Sequence, residues 1–486
     1  MEKVLTTNEV KIASHKSIKW SFFGELFSKI ATPISAMILA RLLTPEIYGI
    51  TTAVSIVITF CETVLENGFS KYIIQHNFKN DDEYYKSIRL LMSFSFLVSL
   101  LFCAAIFFLR YPLSSAIGNA GYELSLFVSC LQIPFAALNA MLVSHLKRSF
   151  RFNKLFIVRV FFCIVPFCVT IPLAFFGFGY WSLIIGTISS QIVQFIVLAI
   201  VVRTKLFPYF NFRLFLNIFK KAAPMVFESL IIWLCTWTST IIATRFFDNY
   251  VVGLIKVSNS TVNSIFSLFS ATFISVLFPT LSRLRDNEKE FENCFFDIQK
   301  SALSILLPLG IGSFLFSKLL TQVMLGSQWS EASFIIAVFS LAKPLTCCFN
   351  FFLSEVFRSK GHFYSSILYQ IAILIIDVSL RLTIGRLSLN HYVFCTILSD
   401  VITNAIAIAI TKIKYHFSLR IQIKSIVPSL LCSMSMIPIA LLHKEKDNLV
   451  QSFLQALVCA TTYFCFLKFI YSKTFDKLIS YFKTKA

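Results

Sequence analysis

Charge is scarce in this chain of 486 residues: Asp, Glu, Lys and Arg make up 14% of it, and 24 of those residues are acidic. An ordinary soluble domain carries about 25%, so the scarcity excludes a globule of normal water-exposed composition. Catalytic signatures are missing too. The sequence has no Gly-x-x-x-x-Gly-Lys-Ser/Thr phosphate loop, no His-Glu-x-x-His pair and no Gly-x-Ser-x-Gly elbow. Nucleotide hydrolysis, zinc proteolysis and α/β-hydrolase chemistry therefore have no sequence support. The 13 Cys include no Cys-x-x-Cys and no His at ligand spacing, which leaves apolar packing as their role and gives no metal site and no cofactor. Residues 1–16 lack the charged start, apolar middle and small-residue cleavage site of a signal peptide, so the first apolar run is expected to stay attached.

What the chain has instead is apolar surface: 57% hydrophobic residues and 55 Phe, with a mean hydropathy of +0.76. About fourteen runs are long enough to cross a bilayer, each needing about 20 apolar residues. They begin near residues 17, 47, 88, 121, 155, 180, 219, 249, 296, 330, 363, 390, 425 and 449. The runs lack period-two alternation, which favours helices over a barrel. The expected fold class is an all-α polytopic membrane protein.

The net charge of +20 does not form a nucleic-acid face, because the basic residues punctuate the ends of the apolar runs. With a cytoplasmic N-terminus, the segments on that side hold 33 Lys and Arg and the opposite connectors hold eight, Arg41, Arg245, Arg381 and Arg386 among them. The asymmetry places both termini inside. Asp81-Asp82-Glu83 lies among basic residues in one such segment and reads as a solvated charge cluster rather than a metal site. Outer connectors are short, so no extramembrane domain is expected.

An internal repeat organises the chain. The end of the first run, Ala40-Arg41-Leu42-Leu43-Thr44-Pro45-Glu46-Ile47-Tyr48-Gly49, returns 204 positions later as Thr244-Arg245 through Gly253. The following runs carry matching polar stripes. Thr51, Ser55, Thr59, Glu62 and Glu66 step by a helical turn along one face, and Ser55 and Thr59 map onto Asn259 and Asn263, beside Lys256. At offsets of 209 and 210, Thr187 and Ser190 match Thr396 and Ser399, and Pro134 and Arg148 match Pro344 and Arg358. The expected organisation is a cytoplasmic segment 1–16, two pseudo-symmetric six-helix bundles at 17–208 and 217–415, an additional two-helix segment at 422–471, and a basic tail at 472–486. An even number of spans per unit makes the repeat parallel.

Ionisable residues inside spans are the default site candidates, because each costs about 2.5–3.5 kcal/mol at the bilayer centre on insertion scales. Glu25 and Lys29 are four apart, an orientation suited to an ion pair, with Pro33 one turn on as a kink point that lets the helix move. Either the two neutralise each other or they line a cavity. Glu62 is a better candidate than Glu66, which sits at the cytoplasmic end. Asp400 and Lys343, beside Pro344, are single charges, as is Glu228; Asp377 and Arg381 form a second i,i+4 pair with a structural character. Among the five Trp, Trp233 and Trp237 alone suit stacking on a sugar, with an aromatic belt as the competing reading.

The motif Leu39 to Gly49, followed by Glu66-Asn67-Gly68-Phe69, resembles the start of the polysaccharide-transport family of Wzx-type flippases, in the multidrug/oligosaccharidyl-lipid/polysaccharide exporter superfamily. Phe278-Pro279-Thr280-Leu281-Ser282-Arg283-Leu284 and Lys147-Arg148-Ser149-Phe150-Arg151-Phe152 extend the resemblance, as does the twelve-plus-two helix plan. It implies a transporter, not an enzyme, that moves an undecaprenyl-pyrophosphate-linked oligosaccharide across the bacterial inner membrane for O-antigen or exopolysaccharide assembly, by alternating access of the two bundles. The implied partners are that lipid-linked oligosaccharide, membrane lipids, and a polysaccharide polymerase with assembly proteins. On that reading Lys29, Lys256 and Lys343 supply positive charge to the substrate, and Ser55, Thr59, Asn259 and Asn263 supply hydrogen bonds. Glu25, Glu62 and Asp400 are the residues for a coupling ion. A cation-coupled drug or metabolite exporter of the same superfamily is the competing reading, and a membrane polysaccharide polymerase a more distant one.

Overall fold

The structure is a computed structural model, and it describes residues 7–76, 78, 80–202, 208–441 and 449–472. Residues 1–6, most of the basic tail at 472–486, and Lys444 and Lys446 lie outside the described residues. Every long element is a helix. In chain order these are α1 (Thr7–Leu42), α2 (Pro45–Gln75), α3 (Asp81–Ala116), α4 (Glu123–Cys130), α5 (Ile133–Arg148), α6 (Phe152–Val165), α7 (Ile171–Phe175), α8 (Tyr180–Val202) and α9 (Phe212–Phe246). They are followed by α10 (Asn249–Arg283), α11 (Glu288–Leu315), α12 (Ser317–Met324), α13 (Ala332–Leu345), α14 (Phe352–Ser359), α15 (Phe363–Thr383), α16 (Leu389–Tyr415), α17 (Leu419–Met434), α18 (Met436–Leu441) and α19 (Leu449–Ile470).

Thirteen segments among the described residues are long and apolar enough to cross a membrane. The eighth expected run is α10, whose side chains at 271, 274 and 275 are outside the described set. Large apolar side chains lie bare on many helices: Phe108 is 78% exposed, Leu101 67% and Phe469 86%. Exposure on that scale suits contact with lipid.

Several helices start earlier than their apolar runs. The helices α3, α9 and α11 begin seven or eight residues before the expected positions, and each is started by an Asn. Asn80 Oδ1 accepts from the Glu83 amide at 2.9 Å, Asn211 Oδ1 from Leu214 at 3.0 Å and Asn287 Oδ1 from Glu290 at 3.3 Å. An Asx cap satisfies an end amide. The Asp81-Asp82-Glu83 cluster occupies the first turn of α3, where its charge complements the helix dipole.

The repeat is visible in the backbone. Both copies of the motif break the helix at the same place, at Leu43-Thr44 and, 204 positions on, at Phe247-Asp248. The first copy restarts with Pro45 at the opening position, where the missing amide hydrogen is no loss and the preceding Thr44 is pushed extended. The second restarts with Asp248, whose Oδ1 accepts from the Val251 amide at 2.9 Å. Different residues produce one geometry. Two π-helical turns, Pro166–Thr170 and Thr346–Phe351, interrupt α6–α7 and α13–α14; such turns follow the loss of a regular backbone bond near Pro.

By packing, the chain divides into two compact units, Met1–Gly253 and Leu254–Ala486. In the first, the apolar face Val54, Ile58, Cys61 and Leu65 of α2 is buried against Leu126, Cys130, Ile133 and Ala137 of α4 and α5. In the second, α17 and α19 are anchored to α11: Ser304 and Ser429 hydroxyls meet at 3.0 Å, and Tyr463 donates to the Ser304 carbonyl at 2.7 Å. All 13 Cys are free thiols. Trp329 is fully buried at 0% exposure.

Candidate functional site

The polar stripe of α2 is tied to its own helix by a run of hydrogen bonds. Thr51 Oγ1 donates to the Ile47 carbonyl at 3.1 Å, Ser55 Oγ to Thr51 at 2.7 Å and Thr59 Oγ1 to Ser55 at 2.7 Å. Each hydroxyl proton is thus spent on the preceding turn, which leaves the oxygens as acceptors. Thr59 uses its free capacity on the neighbouring helix: Trp233 Nε1 of α9 donates to Thr59 Oγ1 at 3.1 Å. The indole also meets the Phe60 ring edge-on at 5.2 Å. Glu62 and Glu66 follow one and two turns later, half-buried. Neither has a hydrogen-bond or ion-pair partner among the described residues.

On α1, Glu25 is held by a residue the sequence pattern did not suggest. Arg159 Nη1 of α6 lies 2.7 Å from Glu25 Oε1, with the two side chains 29% and 52% exposed. The arginine also packs over Gly24, where an added Cβ would sit 3.4 Å from its Cδ, and Trp20 rests on Phe156 one turn away at 5.3 Å. Lys147 acts electrostatically on both charges. Lys29 is half-buried one turn along α1, which passes through Pro33 as one continuous helix.

A second cross-helix pair joins α2 to α9. Lys71 Nζ contacts Glu228 Oε2 at 2.8 Å and donates to Ser229 Oγ at 3.4 Å. The helices come close enough here that a Cβ on Gly68 would lie 2.1 Å from Val226 Cγ2.

The remaining candidates are in the second unit. Asn263 Nδ2 donates to Asn259 Oδ1 at 2.8 Å, making a ladder along α10 beside the half-buried Lys256. Asp400 Oδ2 of α16 accepts from Thr346 Oγ1 at 2.8 Å, at the first residue of the π-helical turn. Lys343 stands one turn before it, acts on the Asp400 charge, and points over the Phe351 ring at 5.8 Å. The turn has further partners: Asn350 Nδ2 donates to Thr403 Oγ1 at 3.2 Å, and Tyr369 donates to Asn350 Oδ1 at 2.6 Å. A cavity of about 250 Å³ lies beside Asp400, with walls that include Leu307, Gly310, Leu341, Pro344 and Ile397. Its walls are apolar apart from that carboxylate.

Asp377 and Arg381 do pair, at 2.8 Å, but Arg381 is not in an outer connector as its position suggested. The helix α15 runs to Thr383, and the arginine side chain is 6% exposed. It donates to the Tyr392 carbonyl at 3.4 Å and to Thr396 Oγ1 at 3.2 Å. This is a structural clamp between α15 and α16.

The site therefore falls into two groups. Glu25, Lys29, Ser55, Thr59 and Glu62 belong to the first unit, and Lys256, Asn259, Asn263, Lys343 and Asp400 to the second. The sequence pattern gives no signal for Arg159, Lys71 or Trp233's bond to Thr59, since Arg159 and Lys71 lie at the basic ends of apolar runs, where basic residues carry no pairing signal. Among the described residues no three His, Cys, Asp or Glu side chains are grouped to hold a metal ion.

Residues 38–334 match a family model described as a polysaccharide biosynthesis protein. The chain belongs to that family. Relatives of the family member include the succinoglycan biosynthesis transport protein ExoT of Rhizobium meliloti, 22% identical over 339 residues, 69% of this chain and 67% of the relative. The lipopolysaccharide biosynthesis protein WzxC of Escherichia coli is 20% identical over 326 residues, 64% of this chain and 63% of the relative. The matches thus span about two thirds of those relatives' length. Among solved structures, the lipid II flippase MurJ in an inward closed conformation superposes with a TM-score of 0.79 at 16% identity, over 93% of this chain and 99% of that one. An inward-facing multidrug resistance MATE transporter of the MOP superfamily gives 0.60 at 14% identity, over 80% of this chain and 94% of that one. The fold of this family member is the one those transporters share, as the motif Leu39 to Gly49 led one to expect.

Proposed function

We propose that this chain is a flippase that carries undecaprenyl-pyrophosphate-linked oligosaccharide from the cytoplasmic to the periplasmic leaflet of the bacterial inner membrane, with both termini cytoplasmic. The observation that carries this reading is the family match over residues 38–334, joined to a transporter fold over nearly the whole chain. The physical problem fits the residues present. A pyrophosphate and a sugar chain pay a large desolvation penalty in hydrocarbon, so their passage needs basic groups and hydrogen-bonding walls while the lipid tail stays outside.

Lys29, Lys256 and Lys343 supply charge in this proposal, with Arg159 beside Glu25 as a further cation in the first unit. The stripes through Ser55 and Thr59 and through Asn259 and Asn263 supply polar walls. Alternating access of two bundles moves the headgroup, and Glu25, Glu62 or Asp400 exchanges a proton or other cation during the cycle. Amide substitution of all three carboxylates, Glu25→Gln, Glu62→Gln and Asp400→Asn, abolishes cation dependence on this view; unchanged transport and pH dependence would remove the coupling step from it.

The test of the main proposal is a deletion strain. Loss of surface glycan with unaltered drug sensitivity is the expected phenotype, whereas drug hypersensitivity with intact glycan would favour an exporter of the same fold.

A further inference from the structure

The first unit presents a surface whose hydrogen-bonding character is one-sided. Along α2, Ser55 and Thr59 have their protons bound to carbonyls of their own helix at 2.7 Å each, so what they offer outward is oxygen lone pairs. Thr59 has also taken the Trp233 indole N–H at 3.1 Å. On the same helical face come Glu62 and Glu66, three and seven residues on. Carboxyl oxygens offer lone pairs in either protonation state, about four positions when ionised, and neither group meets a donor among the described residues. From Thr59 to Glu66 the face offers chiefly acceptor oxygens.

Beside it stands an aromatic surface that is already fixed. Trp233 is held at its nitrogen by Thr59 and along its ring by Phe60, edge-on at 5.2 Å and 67°. The side chain is half-buried, so part of the indole stays accessible while its rotamer is locked. A fixed ring costs little further entropy on binding.

We infer that the α2 face from Thr59 to Glu66, together with Trp233, is a binding subsite for the neutral, hydroxyl-rich sugar portion of the transported lipid. The inference rests on the flippase reading above and specifies where one part of that substrate goes. A pyranose ring matches both halves of the surface: its hydroxyls are donors that unpaired carboxylates can accept, and its apolar C–H face stacks on an indole. A pyrophosphate matches neither. It carries no donors when ionised and finds no basic side chain between Thr59 and Glu66, so the phosphate end belongs with basic groups such as Arg159 and Lys29 instead. The subsite thus separates sugar recognition from charge recognition within one substrate.

The experiment uses the full chain in lipid nanodiscs and two radiolabelled probes: undecaprenyl-pyrophosphate oligosaccharide extracted from the host strain, and undecaprenyl pyrophosphate without sugar. Glu62→Gln and Trp233→Ala are each expected to weaken binding of the sugar-bearing probe about tenfold, as the loss of one hydrogen-bonding or one stacking contact implies, with the bare lipid unchanged. Trp233→Phe keeps a stacking ring and is expected to lose less than Trp233→Ala. Equal losses for both probes, or no loss for either, would overturn the subsite. A wild-type protein that binds both probes equally overturns the subsite and leaves the flippase reading standing. One that binds neither removes the flippase reading, and the subsite with it.

Discussion

Gly49 and Gly253 make reciprocal contacts across the first turns of α2 and α10. A Cβ added to Gly49 would lie 1.7 Å from the Asn249 carbonyl oxygen, and one added to Gly253 would lie 1.8 Å from that of Pro45 and 3.0 Å from the Gly49 nitrogen. Asn249 stands 204 positions after Pro45, as Gly253 does after Gly49, so each copy of the motif presses its glycine on the other's opening residue. Buried Asn119 ties the junction: its Nδ2 donates to the Ile50 carbonyl at 3.2 Å, and Asn249 Nδ2 donates to its Oδ1 at 3.0 Å. The shared tail is a helix-crossing device, and only a residue without Cβ fits there.

Gly49→Ala and Gly253→Ala should each destabilise the protein by about 1–3 kcal/mol, the usual range for overpacking, because the obstacle is rigid backbone. Thermal unfolding in detergent measures this. The double variant should lose less than the sum of the two, since one forced separation of the helices relieves both clashes. Full additivity would argue against a single shared crossing.

Arg381 should be the least replaceable charge in the second unit. It is buried and bonded to Asp377, Tyr392 and Thr396, so Arg381→Ala strands a buried carboxylate at a cost of about 3–5 kcal/mol. Arg381→Lys should recover little, because an ammonium cannot reproduce the planar fork. Expression yield and melting temperature report on both.

The Glu25–Arg159 pair should matter to transport more than to stability. Both side chains are partly solvated, and exposed pairs contribute about 0–1 kcal/mol. Glu25→Gln should therefore leave the melting temperature nearly unchanged. Arg159→Ala should lower transport of lipid-linked oligosaccharide by raising the substrate concentration needed for half-maximal rate.

Outside the spans, His362 gives a pH dependence. Its Nδ1 is 2.8 Å from the Tyr415 hydroxyl. Loss of solvent on the ring comes first in holding its pKa below the ordinary value, with Lys414, Lys360 and Arg285 adding to it. The folded state therefore binds this proton less readily than the unfolded chain, and stability falls as pH drops below about 6.5 towards the folded value. Replacing His362 by Asn should flatten the acid side of the melting curve; an unaltered slope between the two proteins would contradict it.

Much of the fold was legible because a bilayer imposes a simple rule on sequence. Apolar runs gave the spans, and the 204-residue offset gave the matched helix breaks at Thr44 and Asp248. Hydropathy marks a helix start late where an Asn cap, as at Asn80, Asn211 and Asn287, extends the helix into polar sequence. Partner choice was the least legible. Spacing along one helix suggests Lys29 as a neighbour of Glu25, and it carries no signal of Arg159, which reaches Glu25 from α6, 134 positions away. Arg381 looked like a connector charge because polarity there reflects a buried clamp rather than solvent. Local spacing encodes neighbours on a helix, and packing between helices supplies the rest.

The central claim is that a lipid-linked oligosaccharide crosses the membrane through this chain. Proteoliposomes loaded with fluorescent undecaprenyl-pyrophosphate oligosaccharide test it most directly, by the fraction of label that a membrane-impermeant quencher reaches over time. The wild-type protein should move label between leaflets faster than empty liposomes, and Lys29→Ala, Lys256→Ala and Lys343→Ala should slow it. A wild-type rate equal to that of protein-free liposomes, under both sodium and proton gradients, would contradict the account.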